Sequence, residues 1–147
     1  MLAYATEDLD ALGRDVVEGF RIFAGRLDYV ALALGLLGDR RHAVSAGPLD
    51  ELIAHVEQRG LRLVDAQARR LRGIQGADAG DLTAALATFD EIGARPFVAR
   101  VRTELGMLSG DAALVDQGLD ELEALGDVEQ SARVAAERKA RSLAPSA

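Results

Sequence analysis

Apolar residues recur along this chain at helical spacing. Leu82, Leu86 and Phe89 fall at i, i+4 and i+7, and Leu9, Leu12, Val16, Phe20 and Phe23 form a second such stripe. That spacing sets each group on one face of an α-helix. No stretch shows the strict alternation that a half-buried strand needs. The pattern and its end signals predict helices over 6–24, 26–38, 48–59, 61–75, 80–92, 94–108, 112–125 and 127–143.

The interruptions are as regular as the stripes. Gly60, Gly76, Gly93, Gly110 and Gly126 follow one another at i+16, i+17, i+17 and i+16, one helix and one turn each time. Glycine just past a helix end takes the left-handed conformation without strain. Pairs of these units repeat at i+33. The segments 56–60, 89–93 and 122–126 align without gaps, preceded by the columns Leu49/Leu82/Val115 and Ile53/Leu86/Leu119. The columns Ala66/Ala99/Ala132, Ala68/Val101/Val134 and Gly73/Gly106 follow. The small Ala66 column predicts a close crossing of the two helices of one repeat. Helix starts carry matching chemistry. Pro48 stands at a first helical position before Asp50 and Glu51, Pro96 begins another helix, and Asp111 and Asp127 sit at N-cap positions. Asp127 and Gln130 have the spacing of a capping box. In the N-terminal third, Gly73 stands at i+38 from Gly35 instead of i+33, and the excess of five is assigned to the loop 39–47.

A helix–turn–helix period of this length resembles the tetratricopeptide repeat (TPR). The fit is best over 66–97, where Gly73, Gly80-Asp81, Leu82, Ala85 and Phe89 stand near the family's small, turn, aromatic, small and aromatic positions. Ile92 occupies a position that is often Ala, Pro96 comes one position before the family's terminal Pro, and Arg69 stands where the first helix usually carries an aromatic residue. These departures set the chain apart from a standard TPR peptide clamp. The string 89–106 is similar to degenerate TPR-like repeats near the C-termini of large bacterial signalling proteins, among them LuxR-type ATPase regulators and nucleotide-cyclase-linked ATPases. The resemblance covers roughly 26–140. It implies an all-α solenoid of antiparallel hairpins in a single domain over 1–147. An N-terminal helix (6–25) would precede three repeats (26–60, 61–93, 94–126), with a capping helix (127–143) closing them. It also implies a setting in bacterial signalling or transcription control.

Composition narrows the chemistry. The chain has 147 residues, of which 27 are Ala and 22 are Leu, and 49% are apolar, which fits a core-forming helical domain. The absence of Cys removes disulfides, zinc-finger ligation and thiol catalysis. A net charge of −7 repels phosphate backbones, so a direct nucleic-acid partner is not expected. The longest apolar run, 29–38, is too short to span a bilayer, and the first residues carry no basic signal-peptide region, so the expected location is cytoplasmic. There is no phosphate-binding Gly-x-x-x-x-Gly-Lys-Ser/Thr motif, no cyclase segment and no helix-turn-helix reader.

Candidate chemistry is correspondingly thin. His42 lies in an Arg-rich loop and His55 in mid-helix opposite Ile53; both read as surface residues, with no ligand set for a metal. The Gly-rich stretch 73–81 reads as the turn of a hairpin, since a phosphate cradle wants an upstream strand and a following base. Asp81, Asp90, Glu91, Asp116, Asp120 and Glu121 read as a solvated outer face. No cofactor and no catalytic residue is expected.

The arginines stand out. Arg133 stands at i+33 from Arg100, in a column with Gln67, and Arg70 lies at i+3 from Gln67. In the TPR register that column faces the concave groove. The expected function is a non-catalytic scaffold binding a protein or acidic peptide, with Arg70, Arg100 and Arg133 as anchors and Gln67 and Tyr29 in support. The plainer reading of the same arginines is pairing with acids of neighbouring repeats. Two further alternatives are a module that senses a small effector, which the LuxR resemblance implies, and a self-association domain pairing through Leu9, Val16 and Phe20. Gly13, Gly19 and Gly118 have no place in the repeat.

Overall fold

The computed structural model describes residues 8–19 and 27–143, and these are helical almost throughout. Among the described residues eight α-helices follow in order: α1 (Leu9–Gly13), α2 (Leu27–Asp39), α3 (Ala46–Gln58), α4 (Arg62–Gly76), α5 (Ala79–Glu91), α6 (Arg95–Ser109), α7 (Ala112–Ala124) and α8 (Val128–Leu143). Among the described residues there is no strand. The fold class is all-α.

Four helix starts carry an aspartate cap. Asp8 accepts a hydrogen bond from the Ala11 amide at 3.0 Å and opens α1. Asp78 accepts from the amides of Gly80 (2.8 Å) and Asp81 (3.2 Å) at the start of α5. Asp111 accepts from Leu114 at 3.1 Å, and Asp127 Oδ1 from Gln130 at 3.2 Å. Each carboxylate satisfies amides that the first helical turn leaves without a partner.

The helix ends repeat one geometry. Arg41, Gly60, Ala77, Gly93, Gly110 and Gly126 all have positive φ. The amide after each bonds back to the carbonyl at i−5: His42 to Leu37, Leu61 to Val56, Asp78 to Gly73, Ala94 to Phe89, Asp111 to Gly106 and Asp127 to Leu122, all at 2.9–3.0 Å. This is the Schellman closure, which returns the chain antiparallel. Two details correct the glycine reading. Gly76 is the last residue of α4, and Ala77 takes the left-handed conformation (φ 50°, ψ 46°). Arg41 takes it at the end of α2. Ala77 stands at i+36 from Arg41, three more than the period. Leu37 and not Gly35 is therefore the counterpart of Gly73, and the loop insertion is three positions long.

The predicted helix 6–24 is described over 8–19 only. It is α-helical to Gly13, then π-helical over Arg14–Glu18, with Gly19 at its end. Val16 and Val17 are both buried in that turn. Phe20 and Phe23 lie outside the described residues.

Contacts divide the chain into two compact units, Met1–Thr88 and Phe89–Ala147. In the first, α2 packs on α4 and α3 on α4, and the core gathers Leu12, Val16, Val30, Leu34, Leu37, Leu49, Leu52, Val56 and Leu71. In the second, α6 pairs with α7, and α8 lies against both. Ala99, Met107, Val115, Leu122 and Val134 form a buried cluster, and the Phe89 and Phe97 rings stack at 5.1 Å.

Glycine sets how closely the hairpins close. A Cβ on Gly73 would meet Leu82 Cγ at 2.8 Å and the Asp78 carbonyl at 3.1 Å. A Cβ on Gly106 would meet Val115 N at 2.8 Å and the Asp111 carbonyl at 3.0 Å. Val115 stands one full period beyond Leu82, and Asp111 one full period beyond Asp78. The register read from the sequence is thus repeated in the contacts of the two hairpins.

Candidate functional site

Each residue of the expected groove has a partner or a place inside the chain. Gln67 and Arg70 point from α4 toward α2, not toward solvent. A Cβ on Gly35 would lie 3.2 Å from Gln67 Nε2, and one on Gly38 would lie 3.2 Å from Arg70 Nη1. The two glycines, one turn apart on α2, make room for these side chains, so Gln67 is 2% exposed and Arg70 0%. Arg70 Nη2 donates to Asp39 Oδ1 at 2.8 Å, which meets the buried charge. A buried guanidinium gives a partner nothing to hold, so the anchor role does not carry for Arg70 or for Gln67. Tyr29 is half-buried against the first unit's core.

Arg100 and Arg133 belong to the second unit. Arg100 donates through Nε (3.2 Å) and Nη2 (2.8 Å) to Asp127 Oδ2, and its guanidinium sits 5.0 Å from the Phe97 ring centroid. Asp127 therefore does two things, capping α8 with one oxygen and holding Arg100 with the other. Arg133 lies 3.7 Å from Glu129 one turn away. The acids read as an outer face are partly engaged in the same way. Asp81 is buried, with Arg72 donating to both of its oxygens at 2.7 and 2.8 Å. Arg72 also reaches Asp50 at 2.9 Å, and Arg69 bonds to Asp65 at 3.0 Å. The bonds to Asp81 hold the Arg72 guanidinium above its already high ordinary pKa, against the opposing effect of burial. Arg102 pairs with Glu121, and Arg138 with Asp116 at 2.6 Å. Arginine–acid pairing inside the chain, the plainer of the two sequence readings, describes most of these arginines.

A crevice of about 240 Å³ lies between the π-helical turn and the α2–α3 loop, lined by Asp10, Arg14, Glu18, His42 and Ser45 among others. Its residue types suggest nucleophilic chemistry, but its bonds do not. His42 Nε2 sits 2.9 Å from Asp10 Oδ1, while the Ser45 hydroxyl donates to Glu18 at 3.3 Å. An activated serine needs the imidazole as its own acceptor. Sequence spacing gave no hint of the Asp10–His42 pair, because the two stand far apart along the chain. Of the residues expected to pair two copies, Val16 is fully buried and Leu9 packs on the same core, while Phe20 lies outside the described residues. No group of three or more His, Cys, Asp or Glu among the described residues could hold a metal ion. None of their helices is long and apolar enough to cross a membrane.

A wider opening than this crevice, a cleft of about 680 Å³, belongs wholly to the second unit. Arg95, Val98 and Arg102 of α6 form one wall, Glu121, Ala124 and Leu125 at the end of α7 the other, and Asp90 and Gly93 the floor at the turn. Glu121 engages Arg102. Arg95 is exposed, and Leu125 is 46% exposed although it is a large apolar residue. Ile92 beside Gly93 and Val128 beyond Leu125 are exposed as well. Leu125 stands one period beyond Ile92, so the repeat could have flagged the pair, but both sit in turns where apolar periodicity carries no signal. Comparison with protein-family models, with curated proteins and with solved structures finds no match.

Proposed function

We propose that the chain is a TPR-like helical-repeat scaffold that binds a segment of another protein at the α6–α7 cleft and performs no chemistry itself. The observation that carries this reading is the exposed Leu125 beside Arg95 in a cleft of about 680 Å³. An apolar anchor would settle against Val98, Ala124 and Leu125, and a carboxylate one or two positions away would pair bidentately with Arg95. The recurrence of the turn geometry at the repeat period supports the repeat, and through it the wider setting of bacterial signalling or transcription control.

Random peptides displayed on phage and selected on the immobilised protein test the reading. Peptides joining an acid to a large apolar residue are expected to be enriched, and Arg95→Glu and Leu125→Asp to abolish their capture while the helical circular dichroism stays unchanged. Failure of enrichment, or capture that survives both substitutions, overturns it. The cleft volume also lies within the range of small-ligand sites, about 300–1,000 Å³. That favours a small-effector sensor as the second reading. A metabolite that raises Tm in the parent protein but not in the Arg95→Glu variant would support it.

A further inference from the structure

Two guanidiniums of the α6–α7 cleft are satisfied less fully than the other arginines. Arg72 makes three bonds to carboxylates, and Arg100 makes two. Arg95 makes no side-chain bond to another described residue. Arg102 gives only Nη1, to Glu121 Oε1. Arg102 stands at i+4 from Val98, and Glu121 at i−4 from Leu125. Their ion pair therefore joins the two walls one turn beyond the apolar end of the cleft, with the side chains still 24% and 31% exposed. One period earlier, Asp90, Val98, Arg102 and Glu121 are Glu57, Asp65, Arg69 and Thr88. There the arginine is served from its own helix and from the helix before it. Arg69 donates to Asp65 at 3.0 Å and lies 3.3 Å from Glu57. On α6 the apolar Val98 takes the place of that acid, and the counter-charge stands on the opposite wall.

We infer that Glu121 is a built-in competitor at the cleft: it holds Arg102 in the free protein and yields it to a second carboxylate of the bound segment. The inference rests on the reading of the cleft as a peptide site. An acid one turn away on the same helix moves with its arginine, whereas one across a cleft is exchangeable. A partly exposed ion pair is worth little, so a carboxylate arriving in better geometry replaces it. With Glu121 displaced, Arg102 offers the fork of donors that a carboxylate binds bidentately. Placement defines the occupant. The cleft sets Arg95 and Arg102 against Asp90 and Glu121, so net charge does not draw acids to it in general. Arg102 stands at i+7 from Arg95, about 10 Å along the helix. In an extended segment, residues i and i+2 face one wall about 7 Å apart, and i+1 faces the other. Long Glu and Arg side chains cover the difference. The fit is a partner segment of acid, large apolar residue and acid, with both acids on α6 and the apolar residue on Ala124 and Leu125.

The test uses the whole chain, the peptide acetyl-Ala-Glu-Leu-Glu-Ala-amide, and its two analogues with one Glu replaced by Gln. Amide shifts in ¹⁵N spectra are followed up to millimolar peptide. In the parent protein the two-acid peptide should bind only about twofold tighter than the analogues, since the bond gained replaces one lost. Glu121→Gln, of the same shape, should tighten the two-acid peptide about tenfold and leave the analogues nearly unchanged. Adding Arg102→Gln should bring the two-acid peptide back to the level of the analogues, with helical circular dichroism kept in both variants. Equal tightening of all three peptides, no tightening, or a gain that survives the loss of Arg102 overturns the inference and leaves the cleft reading standing. Absence of shifts with every peptide and variant overturns both.

Discussion

Gly118 sits in mid-helix, where glycine ordinarily costs stability relative to alanine. Its reason is the crossing with α6, where the Thr103 side chain and the Ala99 carbonyl leave no space for a Cβ. Gly118→Ala is therefore expected to lose about 1–3 kcal/mol, since the obstruction includes backbone and outweighs the gain in propensity. Gly76 is the opposite case. It is helical, and a Cβ there meets nothing within 4 Å. Gly76→Ala should gain about 0.5–1 kcal/mol. Urea titrations of the two variants check both signs, and a gain at position 118 would show that α6 and α7 cross less closely. The buried Arg70 carries another expectation. Asp39 lies 2.8 Å from it, and Asp39→Ala leaves a guanidinium buried with its main counter-charge gone. The cost is expected to be about 3–5 kcal/mol, seen as a lowered urea midpoint. The helical face of Arg70 was legible in the sequence, but its depth was not. Depth depends on Gly35 and Gly38; a register misplaced by two positions matches Gly35 with Gly73 and gives Gly38 no part.

Helices α2 to α8 were legible to within a turn's fraction because apolar spacing is backed by the turn closures after α2 to α7 and by aspartate caps at the starts of α5, α7 and α8. What the spacing could not show was which residue bends at each end. The Schellman closure is set by its hydrogen bonds, and the left-handed residue is whichever one stands there. At four of six ends it is glycine, but at Ala77 and Arg41 it is not. Hence Gly76, the natural choice from a list of glycines, sits one position too early. Ala77 pays for that conformation, because an L side chain in the left-handed region costs about 1–2 kcal/mol. Ala77→Gly recovers part of this and loses part to the greater freedom of the unfolded chain. The net expectation is a gain of up to about 1 kcal/mol, with Gly93→Ala losing about as much, both read from thermal melts. No change at position 77 would mean that the turn relaxes. The π-helical turn after Gly13 was hidden for a different reason: one extra residue in a turn leaves the local run of apolar residues looking α-helical.

The repeat period runs through both units, yet each unit buries its own cluster. The first centres on α2, α3 and α4, and the second on α6, α7 and α8. In repeat architectures stability is the sum of local terms and nearest-neighbour terms, so a lesion is felt most by the helices it touches. This places a limit on what composition could tell. A chain of 147 residues with one period predicts one domain, but the period fixes only how a helix meets the next one. It says nothing of whether distant helices open together. Native-state hydrogen exchange separates the two cases. Gly118→Ala acts at the α6–α7 crossing, so amides over 95–143 should lose about five- to a hundred-and-fiftyfold protection, matching the expected loss of about 1–3 kcal/mol. Amides over 46–76 should keep theirs, because Leu49, Leu52, Val56 and Leu71 pack in the first cluster. Equal loss in both stretches would mean that the chain opens as one cooperative body, and that the two clusters are not separate units of stability.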